Sequence, residues 1–177
     1  WDAPRFWDLG TGSGCIAVAV LSQLPTATCL ATDASPAAVE ITRKNAERHG
    51  VIDRMTIHEA NQMALPDGAV PDGGFHILMC NPPYIPAAQL ATLDRAVRDF
   101  EPRAALTDEG DGLSFYRVLA TESPRWLSQD AFVAVEIGDG CADAVKQIMA
   151  TEKGFAHYRT HKDRIVGKER VLVFKKT

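Results

Sequence analysis

A glycine-rich turn near the start of the chain constrains the fold more than any other feature. The stretch from Arg5 to Leu9 has the pattern of a short strand, and it leads into the alternating glycines of Gly10 to Gly14. An apolar segment from Cys15 to Leu24 follows and stops at Pro25. Because glycine tolerates positive φ, this pattern predicts a strand, a tight turn and a buried helix. A ligand can approach the main-chain N–H groups where such a helix begins.

Strand and helix patterns alternate along the rest of the chain. Further strands are predicted at Thr28 to Asp33, Arg54 to Glu59, Phe75 to Cys80, Ala131 to Ile137, Phe155 to Thr160 and Glu169 to Phe174, and helices at Pro36 to His49, Leu113 to Leu127 and Asp139 to Thr151. This alternation predicts a mostly parallel α/β sheet with helices on both faces. Ligands of such sheets bind beyond the carboxyl ends of the strands, which is where the glycine turn falls.

Composition narrows the class of protein. With 177 residues, 46% of them hydrophobic, the chain is expected to form one domain. Its 19 Lys and Arg against 23 Asp and Glu give a net charge of −4, which excludes an overall positive field for holding nucleic acid. The longest apolar run, Cys15 to Leu21, is far shorter than the roughly 20 residues that a bilayer crossing needs, so no membrane association is expected.

The cysteines bear on the cellular compartment of the protein, and the first residue bears on whether the chain is part of a longer polypeptide. The four cysteines show no Cys-x-x-Cys spacing, which favours reduced, mostly buried thiols and hence a cytoplasmic protein. They are Cys15, Cys29, Cys80 and Cys141. The chain starts at Trp1 and almost directly with a core-type segment, so we expect it to be part of a longer polypeptide.

The spacing between the glycines and the next acidic residue indicates a nucleoside ligand. Gly10, Gly12 and Gly14 form Gly-x-Gly-x-Gly, whereas the dinucleotide fingerprint requires Gly-x-Gly-x-x-Gly. Asp33 ends the next strand 19 residues after Gly14, where a carboxylate can accept hydrogen bonds from both ribose hydroxyls. The alternative is a tight turn with Asp33 as a helix cap. Asp8 would either bind a ligand ammonium group or accept hydrogen bonds from loop amides.

A second motif, Asn81-Pro82-Pro83-Tyr84, follows the apolar strand Phe75 to Cys80. Proline has no N–H, so the motif offers acceptors with few competing donors. A planar NH2 group can donate one hydrogen to the Asn81 side-chain oxygen and the other to the Pro82 carbonyl. This would orient a weakly nucleophilic nitrogen without removing its proton, while Tyr84 stacks on the planar group. The alternative is an ordinary proline-rich turn.

The motifs together resemble a known family. Asp8 to Gly14, Asp33 and Asn81 to Tyr84 are similar to the S-adenosylmethionine-dependent methyltransferases that modify an exocyclic or amide nitrogen. The likeness is made narrower by the segments Asn81 to Pro86, Phe100 to Leu106, Gly110 to Tyr116, Glu136 to Gly138 and Lys168 to Val171, with Asp163. Over almost its whole length the chain therefore resembles the HemK-type release factor glutamine methyltransferases.

The resemblance implies a fold, a cofactor and a substrate. The fold would be the Rossmann-like class I S-adenosylmethionine-dependent methyltransferase fold, whose mostly parallel seven-stranded sheet has an antiparallel closing strand. Residues 1–177 would form the catalytic domain, without the family's N-terminal helical substrate-recognition domain. The enzyme would use S-adenosyl-L-methionine to methylate the side-chain amide nitrogen of the glutamine in the Gly-Gly-Gln motif of a peptide chain release factor.

The resemblance also implies roles for individual residues. Cofactor contacts are implied for Asp8, Gly10, Thr11, Gly12, Ser13, Gly14, Asp33, Asn61, Gln62 and Asn81. Substrate contacts are implied for Asn81, Pro82, Pro83 and Tyr84, and of these Asn81, Pro82 and Tyr84 would act in catalysis. Asn61 and Gln62 stand where the family usually has an acidic residue and an aromatic, so the surface that stacks on adenine is missing. Cys141 stands where many members have glutamine.

The remaining ionisable residues suggest little further chemistry. The five histidines lack the spacing of metal ligands, and methyl transfer from a sulfonium needs no metal, so no metal site is expected. From Arg159 onward seven Lys or Arg stand against two acids, which favours a solvated sheet edge, with contact to ribosomal or transfer RNA as the alternative. From Leu93 to Gly112 six acids stand against three arginines. Within this acidic rim, Glu101 is predicted to fix a lid by accepting backbone N–H groups.

Two other functions stay open at this point. One is a nucleic-acid adenine amino-methyltransferase, which would share Asn81 to Tyr84 but would need a basic cleft and a target-recognition region. The other is a cofactor-binding methyltransferase-like module without turnover, suggested by Asn61 and Gln62. Methylation of release factor or of nucleic acid, or cofactor binding without product, would separate the three functions.

Overall fold

Seven strands form one sheet, and the strand that precedes the glycine turn lies inside it. A computed structural model describes residues 1–151 and 154–177. The strands are β1 Arg5–Leu9, β2 Thr28–Asp33, β3 Met55–Glu59, β4 Phe75–Cys80, β5 Leu127–Glu136, β6 Phe155–Lys162 and β7 Glu169–Lys176. Their order across the sheet is β3-β2-β1-β4-β5-β7-β6.

Neighbouring strands are mostly parallel. β1 pairs in parallel with β2 on one side and with β4 on the other, β2 pairs with β3, and β4 pairs with β5. β7 is antiparallel to both β5 and β6. The predicted sheet is confirmed, including its seven strands and the antiparallel closing strand.

The first two helices begin in different ways. In the described part of the chain the helices are α1 Cys15–Gln23, α2 Pro36–Arg48, α3 Arg95–Arg98, α4 Arg103–Leu106, α5 Ser114–Glu122 and α6 Ala142–Thr151. At α2 the Ser35 hydroxyl accepts a hydrogen bond from Ala38 N, and Pro36 occupies the first turn. α1 instead begins after Gly14, whose φ is 80° and which has no side chain to cap the helix, and the Asp8 carboxylate accepts the N–H of Ala17 in the first turn.

Two apolar clusters cover the two faces of the sheet, as alternation along a strand requires. Phe6 and Trp7 are neighbours on β1 and point to opposite faces. The Phe6 cluster includes buried residues of α1 and α2, such as Ala17 and Ala46. The Trp7 cluster includes buried residues of α5 and α6, such as Tyr116 and Met149. Helices therefore lie on both faces, as predicted.

The predicted boundary between α5 and β5 is wrong. The sequence predicts a helix from about Leu113 to Leu127 with a break near its end at Pro124. α5 ends at Glu122 and a 3-10 turn covers Ser123–Arg125, so the chain does leave the α-helix next to Pro124. β5 begins at Leu127, four residues before the predicted start at Ala131. Leu127 pairs with the distant Phe75, and the register shifts before the next pair, so the local sequence does not reveal this start.

The burial of the cysteines and the length of the helices bear on two further predictions. All four cysteines are free; Cys29 and Cys80 are buried, Cys141 is partly buried and Cys15 is exposed, whereas the thiols were predicted to be mostly buried. None of the helices in residues 1–151 and 154–177 combines the length and the apolar composition that crossing a bilayer requires.

A buried hydrogen bond joins β1 to β2 next to the strand ends. The Trp7 indole N–H donates to the Thr32 hydroxyl over 2.8 Å, and both side chains are fully buried. Trp7 precedes Asp8 and Thr32 precedes Asp33, so this bond fixes the relative height of the two strands beneath the proposed ligand site.

We predict that Trp7→Phe lowers the free energy of unfolding by about 2–4 kcal/mol, because it opens a cavity and removes the bond to Thr32. Trp126→Phe is the matched control, since the Trp126 indole N–H is buried and finds no partner among the described residues. That control should cost about 1 kcal/mol or less. Urea denaturation measures both, and equal losses would contradict a stabilising role for the Trp7–Thr32 bond.

Candidate active site

The register of three parallel strands brings the predicted motifs to one edge of the sheet. Leu9 of β1 lies opposite Thr32 of β2 and opposite Cys80 of β4. The residues that follow these three are Gly10, Asp33 and Asn81. The glycine turn, the acidic residue and the Asn-Pro-Pro-Tyr motif are thus neighbours at the carboxyl ends of adjacent strands, as predicted for a sheet of this class.

The glycine turn is hydrogen-bonded to β2, and there is open space beside two of its glycines. Gly10, Gly12 and Gly14 have φ values of 70°, 59° and 80°. The N–H groups of Gly10 and Thr11 donate to the Thr32 carbonyl over 2.8 and 2.9 Å. A Cβ placed on Gly10 or Gly12 would meet no atom within 4 Å, so the space beside the turn can admit a ligand. The Asp8 carboxylate accepts the Ala17 N–H, and the N–H groups of Cys15 and Ile16, earlier in the same turn of α1, are left for a negatively charged group.

Asp33 connects the glycine turn to the second helix. One carboxylate oxygen accepts the Gly12 N–H over 2.9 Å, and the other accepts the Ser35 N–H over 2.9 Å. A carboxylate oxygen has a second lone-pair site, so Asp33 can still accept two ribose hydroxyls. The bond to Ser35, just before α2, also supports the helix-start alternative. The ribose contact stays a prediction.

The two carboxylate oxygens of Asp8 differ in their hydrogen bonds. Its Oδ2 accepts the Thr11 hydroxyl over 2.7 Å and the Ala17 N–H over 3.2 Å. Its Oδ1 is buried and has no hydrogen-bond partner in the described part of the chain. Burial raises the pKa of Asp8 to about 6, although both hydrogen bonds act in the opposite direction. A positively charged ligand group that donated to Oδ1 would relieve this cost.

Two residues of α2 that sequence reasoning missed also hold the glycine turn. The Thr42 hydroxyl donates to the Gly12 carbonyl over 3.0 Å, and the Asn45 side-chain amide donates to the Ser13 carbonyl over 2.8 Å. Thr42 and Asn45 are three residues apart, so they lie on one face of the helix. Two polar residues at helical spacing, on the face of α2 toward the glycine turn, were the feature of the sequence that could have predicted these bonds.

Asn61 and Gln62 lie at the same edge, beyond β3. The Ala60 N–H donates to the Asp33 carbonyl over 2.9 Å, which places the following residues beside Asp33. Both side chains are exposed, and Gln62 has a left-handed φ of 50°. Their contact with the adenine part of a cofactor stays a prediction, as does weaker affinity from the missing aromatic.

The Asn81 motif borders a small cleft. The cleft has a volume of about 100 Å³ and is lined by Asn81, Pro82, Tyr84, Ile85, Glu101, Ala105 and Leu106. Asn81 is exposed, Pro82 is buried and Pro83 is partly buried. The Asn81 side chain makes no hydrogen bond to any described residue, so its amide oxygen is available to a substrate. Tyr84 is half-buried, and its hydroxyl donates to Glu136 Oε1 over 3.0 Å.

The acidic rim is fixed by a different residue from the one predicted. The Glu101 side chain lines the cleft and is exposed, and it makes no hydrogen bond or ion pair with another described residue. Asp108 instead accepts the N–H groups of Gly110, Gly112 and Ser114. These bonds, with the Ser114 hydroxyl, lower the pKa of Asp108 to about 2 despite partial desolvation. The predicted structural role of Glu101 is therefore wrong for this conformation.

The basic residues near the C-terminus lie at or beside the sheet edge. β6 is the outermost strand. Lys168 pairs with Asp139, and Lys175 pairs with Asp130 over 2.8 Å. Lys176 donates to the carbonyls of Pro124 and Leu127. These intramolecular partners favour the solvated-edge interpretation, and contact with RNA stays a prediction.

Metal chemistry finds no donor set in the described residues. Among them, no group of three or more His, Cys, Asp or Glu side chains is arranged to hold a metal ion. His76 is buried and uses its Nδ1 to accept the Arg5 N–H, with its ring stacked on Trp1. Burial lowers the pKa of His76, so its structural role does not require a charged ring.

The amino-acid sequence is similar to those of known methyltransferases. The family model described as methyltransferase small domain matches residues 2–113. A release factor glutamine methyltransferase of Geobacter sulfurreducens is 42% identical over 165 residues, covering 90% of this chain and 56% of that protein. One from Rhodospirillum rubrum is 38% identical over 169 residues, covering 96% and 50%. The chain spans about half the length of these curated relatives.

Solved structures share the fold. TrmN from Thermus thermophilus superimposes with a TM-score of 0.71 at 21% identity, covering 99% of this chain and 44% of that one. A methyltransferase from Pyrococcus furiosus gives a TM-score of 0.67 at 17% identity, covering 97% and 74%. At such identities the likeness establishes the fold alone, which is the Rossmann-like class I methyltransferase fold.

The raised pKa of Asp8 generates a prediction about pH. A carboxyl group whose pKa is higher in the folded protein contributes stability below its unfolded pKa, near 3.8, and loses it as the pH rises through about 6. Asp8→Asn does not titrate, so its free energy of unfolding should improve relative to wild type by about 2 to 2.5 kcal/mol between pH 4 and pH 7. Urea denaturation across this range measures the difference. Asp2→Asn controls for removal of an exposed carboxylate, and a pH-independent difference for Asp8→Asn would contradict the prediction.

Proposed function

The chain belongs to the methyltransferase small domain family, and from that membership we propose that it transfers a methyl group from S-adenosyl-L-methionine to the side-chain amide nitrogen of a glutamine. The proposed substrate is the Gly-Gly-Gln loop of a peptide chain release factor. Several relatives between 38% and 42% identical carry the name release factor glutamine methyltransferase, which supports this choice. The enzyme would then be a protein-glutamine N-methyltransferase.

One observation carries the proposal. The register of Leu9 with Cys80 places Gly10 and Asn81 at adjacent strand ends. A methyl donor beside the glycine turn and an amide held by Asn81 would therefore meet at one point of the sheet edge.

The residues at the glycine turn fit the cofactor. The open space beside Gly10 and Gly12 would admit its methionine part, and the free N–H groups at the start of α1 would meet the carboxylate. The unpaired Asp8 Oδ1 would accept from the ammonium group, and Asp33 would accept from the ribose. Asn61 and Gln62 would border the adenine. When bound, the cofactor supplies a sulfonium methyl group to a nucleophile.

Asn81 and Pro82 would provide orientation rather than proton abstraction. The Asn81 side-chain oxygen and the Pro82 carbonyl would each accept one N–H of the glutamine amide, leaving its nitrogen facing the methyl group. Both acceptors would also disperse the positive charge that develops on the nitrogen as it gains the methyl group and the sulfonium C–S bond breaks to leave a neutral thioether. One N–H proton of the methylated amide would then pass to solvent. Pro83 and the ring of Tyr84 would pack against the planar amide group and restrict its movement.

Two rival functions have less support. Methylation of nucleic-acid adenine is not favoured by the names of these relatives, and the rim beside the cleft is acidic rather than basic. A module that binds the cofactor without turnover would follow if the missing aromatic at Gln62 abolished productive binding. The proposed cytoplasmic location rests on free thiols only.

The test is methyl transfer from labelled S-adenosylmethionine to an intact bacterial-type release factor, with the methyl group located by mass spectrometry. We expect label on the glutamine of the Gly-Gly-Gln motif and none when that glutamine is replaced by alanine. Because the curated relatives are longer, the assay should be repeated with the complete natural polypeptide. Label on nucleic acid alone, or cofactor binding without any product in either form, would overturn the proposal.

Replacing Asn81 tests its assigned role. We predict that Asn81→Ala lowers turnover by about 100-fold or more, because one orienting and charge-dispersing acceptor is lost. The dissociation constant for S-adenosylmethionine, measured by calorimetry, should change by less than about threefold. Asn45→Ala is a useful contrast, because Asn45 supports the glycine turn and should weaken cofactor binding instead. Unchanged turnover in Asn81→Ala would exclude the role given to it.

A further inference from the structure

The loop that carries Asn81 depends on distant contacts for its conformation. Residues 81–86 belong to neither a helix nor a strand. In the described part of the chain the Asn81 side chain has no partner that would aim it. The loop is instead tied at its far end, where the Ile85 N–H donates to the Leu106 carbonyl over 2.9 Å. Between these points the one side-chain anchor with polar contacts is Tyr84.

Tyr84 is held by a carboxylate and a guanidinium from two other strands. Its hydroxyl donates to Glu136 Oε1 over 3.0 Å, and Arg170 Nη1 approaches the same hydroxyl at 3.5 Å. The distance between Arg170 Nη1 and Glu136 Oε1 is 3.9 Å. Glu136 ends β5 and Arg170 lies near the start of β7, so three parts of the chain meet at one phenol oxygen.

Glu136 is itself fixed from both sides. The Tyr116 hydroxyl on α5 donates to the Glu136 carbonyl over 2.7 Å. The next residue, Ile137, donates its N–H to the Arg170 carbonyl over 2.9 Å and accepts from Arg170 Nη1 over 3.4 Å. The carboxylate and the guanidinium are therefore set by the backbone of the sheet and not by each other alone.

Two glycines leave room for Tyr84 and its backbone. A Cβ on Gly138 would lie 3.1 Å from Cδ2 of the Tyr84 ring. A Cβ on Gly112 would overlap the Tyr84 carbonyl oxygen, and Gly112 also has a φ of 77°. A side chain at either position would displace the loop.

We propose that Glu136 and Arg170 are positioning residues that clamp Tyr84 and thereby aim the acceptors of Asn81 and Pro82 at the substrate amide. This inference rests on the proposed function. It also explains why the segments 110–116, 136–138 and 168–170 accompany Asn81 to Tyr84, since each of them meets Tyr84 or a residue that holds it. Glu136 and Arg170 need not touch the substrate.

The charge state of the group suits such a clamp. Burial and the neighbouring Glu136 carboxylate raise the pKa of Tyr84 to about 12, so its hydroxyl stays protonated and remains a donor across the physiological range. The Arg170 guanidinium lies 3.9 Å from the Glu136 carboxylate and offsets its charge. The clamp should therefore work without a change in the protonation of Tyr84.

The kinetic test compares Glu136→Ala, Glu136→Gln and Tyr84→Phe in the methyl-transfer assay. Displacing the acceptors by a fraction of an ångström should lower kcat by about tenfold or more in Glu136→Ala, with KM for S-adenosylmethionine within about twofold. Glu136→Gln keeps an acceptor for the Tyr84 hydroxyl and should restore kcat to within about threefold of wild type. The double variant Tyr84→Phe with Glu136→Ala should be no slower than the slower single variant. Asp139→Asn is the matched control, because Asp139 lies three residues after Glu136 and pairs with Lys168 instead of Tyr84; it should leave kcat unchanged.

A measurement without substrate separates this inference from the proposed function. The Ile85 amide should exchange its hydrogen at least about tenfold faster in Glu136→Ala than in wild type, while Asp139→Asn exchanges at the wild-type rate. Faster exchange in Glu136→Ala with no methylation by wild type would retain the clamp and reject the function. Unchanged exchange, additive kinetic losses in the double variant, or no rescue by Glu136→Gln in a folded protein would overturn the clamp.

Discussion

Parallel pairing of β1 with β2 and with β4 is the interaction on which the rest of the site depends. Because Leu9 lies opposite both Thr32 and Cys80, three strands end at the same height. The paired backbones then bring a glycine turn, a carboxylate and an amide side chain to one edge of the sheet. The buried bond between Trp7 and Thr32 maintains that height. A slip of the register would separate the motifs.

The two halves of the site differ in how completely their polar groups are satisfied. The turn, Asp33 and the rim around Asp108 are supported by hydrogen bonds within the protein. Asp8 Oδ1 and the side chains of Asn81 and Glu101 have no partner among the described residues. An unpaired buried carboxylate oxygen is costly, so its presence beside an open turn is consistent with a ligand that completes it. The groups that support the site therefore have hydrogen-bond partners within the protein, whereas Asp8 Oδ1 and the Asn81 side chain, which are proposed to bind ligands, have none among the described residues.

Local sequence was sufficient to predict the sheet, most element bounds and the position of the motifs, because strand and helix periodicity and turn residues act over short distances. It was insufficient where distant groups decide. The start of β5 depends on pairing with Phe75, which helix-like residues around Leu127 conceal. The freedom of Glu101 arises because Asp108 fixes the rim in its place. The meeting of Glu136 and Arg170 at Tyr84 requires the sheet to be folded first, and no spacing in the sequence reveals it.

Geometry, rather than proton transfer, is the central feature of this account. The most direct measurement is a crystal structure of the chain with S-adenosylhomocysteine and a peptide that contains Gly-Gly-Gln. We predict that the glutamine amide nitrogen lies within about 3 Å of both the Asn81 side-chain oxygen and the Pro82 carbonyl oxygen and faces the sulfur atom of the bound cofactor product. A glutamine bound elsewhere, or a cofactor product that lies away from the turn at Gly10 to Gly14, would contradict it.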